Sequence, residues 1–391
     1  MNGSLQERLS GFQRRALAVG VAGLALCAGG ALISPAQFFR SYLVAFLFWA
    51  GLSLGCLALL LLHHTFGAGW GFVMQRVLEA GTRTFVLVAV LFLPLLVGLH
   101  ELYEWTHAEV VAADPMLRQK SVYLNVNFFV GRAAFYFLAW LGAAYLLNKW
   151  SRQLDDTGDA RLADRLRNAG PPGLLVYGLT VTFATVDWAM SIDPHWFSTM
   201  FGLIFVAGQV LSTLAFVAIA VSRLADEKPL ADVIRPAHFQ DFGNLMLAFV
   251  MIWAYLSFSQ FLIIWSGNLP ETITWYKDRS AGGWQWVVFG LFVFSFALPF
   301  VLLLSRLTKR RARTLATVGA LVLVMRLVEL LWVIRPTFNP GVLSVHWMDL
   351  AAPVGIGGLW LAFFAYQLKQ RPLLPHGDPR MKEKFADAHG H

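Results

Sequence analysis

Cysteine and charge are both scarce in this chain. Of its 391 residues only Cys27 and Cys56 are cysteines, and both lie inside apolar segments. No Cys-x-x-Cys-His stands in the sequence to attach a haem covalently, and no ferredoxin-type cysteine run to ligate an iron–sulfur cluster. The chain is therefore not expected to carry either redox centre itself. Charged residues make up 14% of the sequence. A soluble domain would carry roughly 25%, so the shortfall points to lipid as the solvent. A net charge of +8 would suggest a nucleic-acid partner in a soluble protein. Here the basic residues fall between apolar runs and report topology, so no nucleic acid is expected.

Long hydrophobic runs are what the sequence has in abundance. Ten can be marked, at about 16–33, 39–62, 84–100, 127–147, 174–192, 200–221, 242–265, 284–304, 315–334 and 348–366. Each is near the ~20 residues that cross a ~30 Å hydrocarbon core as a helix. Arg14 and Arg15 ahead of the first run imitate a signal peptide, and Cys27 a lipobox. No convincing cleavage site follows, so the run reads as a first transmembrane helix. The expected fold is an all-α integral membrane protein, with residues 1–15 and 367–391 as flanking tails.

Orientation follows from Lys and Arg. Of the 31, 23 lie in the N-terminus, the C-terminus and the loops after the even-numbered segments; 6 lie in the other loops or, like Arg40, at their edge, and Arg132 and Arg326 lie within segments. The positive-inside rule puts both termini in the cytoplasm. Lys309-Arg310-Arg311-Ala312-Arg313 is the clearest anchor. The expected location is a bacterial inner membrane.

Ionisable groups are costly in a bilayer and by default mark function or a packed ion pair. Here they gather toward the predicted outer ends. The third segment closes with His100, Glu101, Glu104 and His107; the fifth carries Asp187, followed by Asp193 and His195. The ninth carries Arg326 and Glu329, then Arg335, and the fourth starts with Asn125, Asn127 and Arg132. His100 and Glu104 share a face if their helix continues that far, and Arg326 and Glu329 can pair at i,i+3. Asp187 lies ~7–8 Å below the end of its segment at 1.5 Å per residue. Carboxylates and imidazoles within proton-hopping reach suit a proton relay.

Blander readings stand beside these. Arg326 with Glu329 fits a structural pair, Glu101 and Glu104 fit solvated headgroup residues, and Asp193 and His195 fit turn chemistry. His63 and His64 read as surface histidines at the end of the second segment. Residues 154–168 read as a short amphipathic helix on the cytoplasmic face, and the tail from Lys369 as an extended arm, with His389 and His391 too terminal for a metal site. Polar groups deep on the cytoplasmic side look sparse, Gln209 and Ser212 being among the few. A weak outline repeat relates segments three to five and seven to nine.

Asp114-Pro115-Met116-Leu117 through Lys120-Ser121-Val122-Tyr123-Leu124-Asn125 resembles the outer loop of the NrfD-like, polysulfide-reductase-type, quinone-interacting membrane subunits. Thr185-Val186-Asp187-Trp188-Ala189-Met190-Ser191 with Trp196, and the run from Gln260 to Glu271, resemble alternative complex III, and the chain's size and short loops resemble its smaller, ActF-type subunit. The resemblance covers all ten segments. It implies two four-helix bundles, segments two to five and six to nine, inside a quinol:cytochrome c (or copper protein) oxidoreductase of respiratory or photosynthetic electron transfer. It implies a menaquinone-type quinone as the associated cofactor, with haem and iron–sulfur clusters in partner subunits, among them a larger NrfD-like paralogue and iron–sulfur and c-type haem chains. The positions carried over are His100, Glu101, Glu104, Asp187 and Glu329 for proton transfer, with Arg132 and Arg326 tuning the carboxylates. The alternatives are a stand-alone proton-coupled transporter and a purely structural anchor.

Overall fold

The computed structural model describes residues 3–381; His389 and His391 lie outside them. Among the described residues, ten helices are long and apolar enough to cross a membrane. They are α1 (Leu5–Ile33), α2 (Pro35–Phe66), α3 (Gly69–Val97), α4 (Val126–Thr157), α5 (Ala160–Ile192), α6 (Phe201–Leu224), α7 (Pro236–Gly267), α8 (Trp284–Leu304), α9 (Ala312–Phe338) and α10 (Met348–Leu368). No strand occurs among the described residues, as the apolar-run reading expects: in lipid a helix satisfies every backbone group within itself.

Several helices outrun the apolar stretches that reveal them. α1 already runs from Leu5, inside the segment read as a tail, and Leu5 is buried. α2 stops at Gly67, whose φ of 61° closes the helix in the left-handed region that glycine enters without strain. α3 begins two residues later, so the stretch 63–83, read from sequence as a loop, is largely helix. α4 and α5 likewise run on to Thr157 and from Ala160, meeting at Gly158 (φ 66°) and the N-cap Asp159. The amphipathic surface helix expected at 154–168 is instead the joined ends of two long helices. Hydropathy stops at the first charge, whereas backbone hydrogen bonding does not.

The helices α2, α3, α4 and α5 pack in one ring, and α6, α7, α8 and α9 in a second. The rings meet where α2 and α5 lie on α6 and where α9 lies on α2. In the most apolar stretch of α2, 89% of the residues are buried, against 22% in α1, α7 and α8. α2 is thus the central post, and most of the surface of the other three is left uncovered by the rest of the chain.

α1 joins through α10. A Cβ on Gly23 would stand 2.8 Å from the Gly355 Cα, and one on Gly358 2.4 Å from the Gly20 Cα. The two backbones touch along this stripe. Small residues at such spacing let transmembrane helices gain dispersion contact where lipid offers no hydrophobic drive.

Candidate functional site: three buried ion-pair clusters

α3, α5, α7 and α9 end at one face of the bundles, named here the Asp187 face; the opposite one is the Glu79 face. One turn of α4 presents Arg132 and Tyr136 on the same side, toward α5. Arg132 Nε donates to Asp187 Oδ2 at 2.9 Å and Nη2 to Oδ1 at 2.8 Å, a two-pronged pairing. Tyr136 OH donates to Oδ2 at 2.8 Å. The third arm of Arg132, Nη1, donates to the Tyr123 carbonyl at 2.9 Å, and its guanidinium lies 3.7 Å over the Tyr123 ring. Asp187 is fully buried. The Tyr123 hydroxyl is buried beside Asp187 and Tyr136. Burial, then the nearby Asp187 charge, pushes this loop phenol up to about 12, so it stays a proton donor at physiological pH.

The chain after α3 supports this cluster with different residues from those expected. The helix breaks at Tyr103, which is extended (φ −127°, ψ 116°). The expected row of His100, Glu104 and His107 therefore does not form. All three, with Glu101, are exposed. His100 and His107 fold onto each other instead, His107 Nε2 lying 2.9 Å from the His100 carbonyl. Tyr103 and Trp105 turn inward: Tyr103 OH donates to the Trp188 carbonyl at 3.0 Å, and Trp105 Nε1 to Ser191 Oγ at 3.3 Å.

The loops at this face are stapled. His195 Nε2 is 2.5 Å from Asp114 Oδ2, so His195 does more than shape its own turn. Lys120 Nζ donates to the Pro194 carbonyl at 2.5 Å. Between the two bundles Trp196 stacks on Trp275 at 4.6 Å, and Gln260 bridges Ser198 (2.7 Å) and Tyr276 (3.2 Å). Asp349, at the start of α10, accepts from Ser41 Oγ at 2.6 Å and from the His346 backbone at 2.8 Å.

In the second bundle Arg326 Nη1 pairs with Glu329 Oε2 at 2.5 Å on one face of α9, as the i,i+3 spacing allows. Trp253 Nε1 of α7 donates to Oε1 at 2.9 Å. Both charges are buried. Glu329 lies ~14 Å from the end of α9 at 1.5 Å per residue, about twice the depth of Asp187. The two carboxylates serve different bundles and form no single cluster.

The third cluster is at the Glu79 face, where the sequence looks poor in deep polar groups. Glu79 of α3 is fully buried. It accepts from Arg76 (2.7 Å), Ser151 Oγ (2.5 Å), Gln75 (2.9 Å) and Arg371 (3.0 Å). Arg76 also pairs with Asp155. His63 and His64 are fully buried beside this group, His63 next to Gln75, and are not surface histidines. Gly71 makes the room: a Cβ there would stand 1.9 Å from His63 Nδ1. Nor is the described part of the C-terminal segment, 369–381, an exposed arm. Arg371 also donates to the Asn148 carbonyl at 2.7 Å, Leu373 and Leu374 are buried, and Gly377 lies against the Leu154 and Asp155 backbone. The signal that marks this cluster in the sequence is Arg76-x-x-Glu79 following Phe72-Val73-Met74, an i,i+3 pair on a helix whose other residues are mostly apolar.

Two cavities of about 10 Å3 each lie inside the protein. One is bounded by Ser212, Trp253, Ser295, Arg326 and Glu329, among others; the second lies between α2, α5 and α6 and includes Thr185, Trp188 and Gln209. Each is the size of one water and far below that of a quinone ring.

These features define a multi-pass, all-helical membrane protein with buried ion pairs at three levels. No family model matches the chain, and no curated protein matches it.

Proposed function

We propose that the chain is a non-redox membrane subunit of a quinol-oxidising electron-transfer complex of alternative complex III type, in which it carries protons at the Asp187 face. The observation that carries this reading is the Arg132–Asp187–Tyr136 group, a fully buried carboxylate with three donors on it. Asp187 stands in one of the stretches on which the resemblance rests, Thr185–Ser191, and Tyr123 of another, Asp114–Asn125, brings its hydroxyl to the edge of the group.

The chemistry is consistent. A quinol that gives up two electrons also gives up two protons, and a buried carboxylate with adjacent phenols can receive them. At rest Asp187 is held by three donors from Arg132 and Tyr136, so on this reading proton transfer goes with a local rearrangement of these two side chains. Neither cavity fits a quinone ring, so no step is routed through a quinone inside the bundles. On this reading the ring is held with a partner subunit, and haem and iron–sulfur clusters belong to partner chains in a bacterial cytoplasmic membrane. The deeper Glu329 favours a second reading, a proton-coupled transporter, because transport sites lie near mid-membrane.

The test is gentle purification from the native membrane, followed by a visible spectrum and a subunit gel. Haem bands with larger co-purifying chains support the complex, and Asp187→Asn should then assemble yet turn quinol over at least tenfold more slowly. A colourless, solitary protein would overturn the assignment in favour of transport. Full turnover in the variant would make Asp187 a packing group.

A further inference from the structure

Ser295 stands out in α8. It lies in a π-helical stretch, Phe292–Ala297, and is the only buried residue of that stretch. Pro299 follows four residues later. In a regular α-helix its ring would press on the Ser295 carbonyl, to which it has no N–H to donate; a widened turn relieves that conflict. π-Turns inside α-helices are frequent at functional sites.

A serine within a helix usually turns its hydroxyl back onto its own carbonyl four residues earlier. Ser212, across the same cavity in α6, does this with Gly208 at 2.7 Å. Ser295 does not: its Oγ is buried with no hydrogen-bond partner among the described residues. Leaving a hydroxyl unsatisfied in such a place is costly. The cavity that it shares with Glu329, Arg326, Trp253 and Ser212 has about 10 Å3, the room one water needs. Gly208 also lines it; a Cβ there would stand 2.4 Å from the Arg326 guanidinium carbon, so the glycine admits that side chain.

We propose that the core of the second bundle is a binding site for a single water molecule, held between the Ser295 hydroxyl and the Glu329 carboxylate. The water gives Glu329 a hydrogen-bond partner that can exchange protons, unlike Arg326 and the Trp253 indole. The ion pair is then a hydrated relay point and not a closed structural clasp. This deepens the proton-carrying reading, but the site is defined without quinol or partner subunits.

Infrared difference spectroscopy of the purified full chain in H2-16O and H2-18O tests it. The expected result is an isotope-shifted O–H stretch of a buried water in the native protein, lost in Ser295→Ala and kept in Ser295→Thr. In Glu329→Gln the band should move in frequency, because the water's acceptor has changed. No such band in the native protein, or one unchanged in both Ser295→Ala and Glu329→Gln, would overturn the proposal. The band needs no quinol turnover, so failure of the electron-transfer assignment leaves this result intact, and the reverse also holds.

Discussion

Arg132 of α4 meets Asp187 of α5 edge to edge, with 2.9 Å and 2.8 Å between the two nitrogen–oxygen pairs. The guanidinium also lies against two rings that meet edge to face, 3.7 Å from the Tyr123 centroid and 4.4 Å from that of Phe128. Only an arginine presents a planar fork and a stacking face at once.

Removing one partner of a buried ion pair leaves the other uncompensated and costs about 3–5 kcal/mol. Arg132→Gln should therefore destabilise the protein more than Arg132→Gln with Asp187→Asn, which removes both charges. Thermal unfolding of the four proteins in detergent gives the coupling, expected to exceed about 1 kcal/mol. Additive effects would show that the pair does not act as a unit. Arg132→Lys should fail to restore the native melting temperature.

The C-terminal segment should act as a cover over the Glu79 cluster. Truncation after Gln370 removes the Arg371 contact to Glu79 and uncovers the side where Leu373 and Leu374 are buried. His63 and His64 should then react with diethylpyrocarbonate in the folded protein, whereas the full chain protects them. Mass spectrometry of the modified peptides reads the difference. Arg371→Ala should lower the melting temperature without opening the histidines fully, since the two leucines remain.

Between α3 and α4, Asp114 receives hydrogen bonds from His195 and from the backbone of Met116 and Leu117. The His195 bond, with smaller help from the two amides, holds its carboxyl below the usual aspartate range. The sign follows: a lowered carboxylate contributes stability above its unfolded value and loses it as pH falls through the lowered one. The protection factors of the amides across residues 111–124, which are exchange rates corrected for intrinsic pH dependence, should fall on acidification into that range. In Asp114→Asn, exchange should be faster at neutral pH and should lose the acid step.

The α1–α10 seam should reject any side chain. Gly23→Leu forces the backbones apart where a Cβ alone would reach to 2.8 Å. Limited proteolysis should release the α1 segment from the variant while α2–α10 stay protected. An unchanged digest would mean that the seam is looser than its glycines indicate.

Ten spans, their order and the scarcity of soluble-type charge are legible in the sequence because bilayer thickness imposes a length and a polarity on every crossing segment. The i,i+3 pairing of Arg326 with Glu329 is equally legible, since helical periodicity alone brings these residues together. The pairing of Arg132 with Asp187 is a different matter. The residues are 55 apart in the chain, and only the packing of α4 on α5 makes them neighbours. The row of His100, Glu104 and His107 failed because a local backbone break at Tyr103 overrides a spacing argument. The Glu79 cluster stayed hidden for the opposite reason. Its charges lie beyond the apolar run, where hydropathy reads a loop, yet the helix continues and Arg371, 292 residues away, closes over it. Composition and periodicity thus determined what each segment is and where it can live. Which charges are paired, which histidines are shut away from water and where a lone hydroxyl faces a cavity were decided by packing between helices, because those contacts join residues that no local pattern relates.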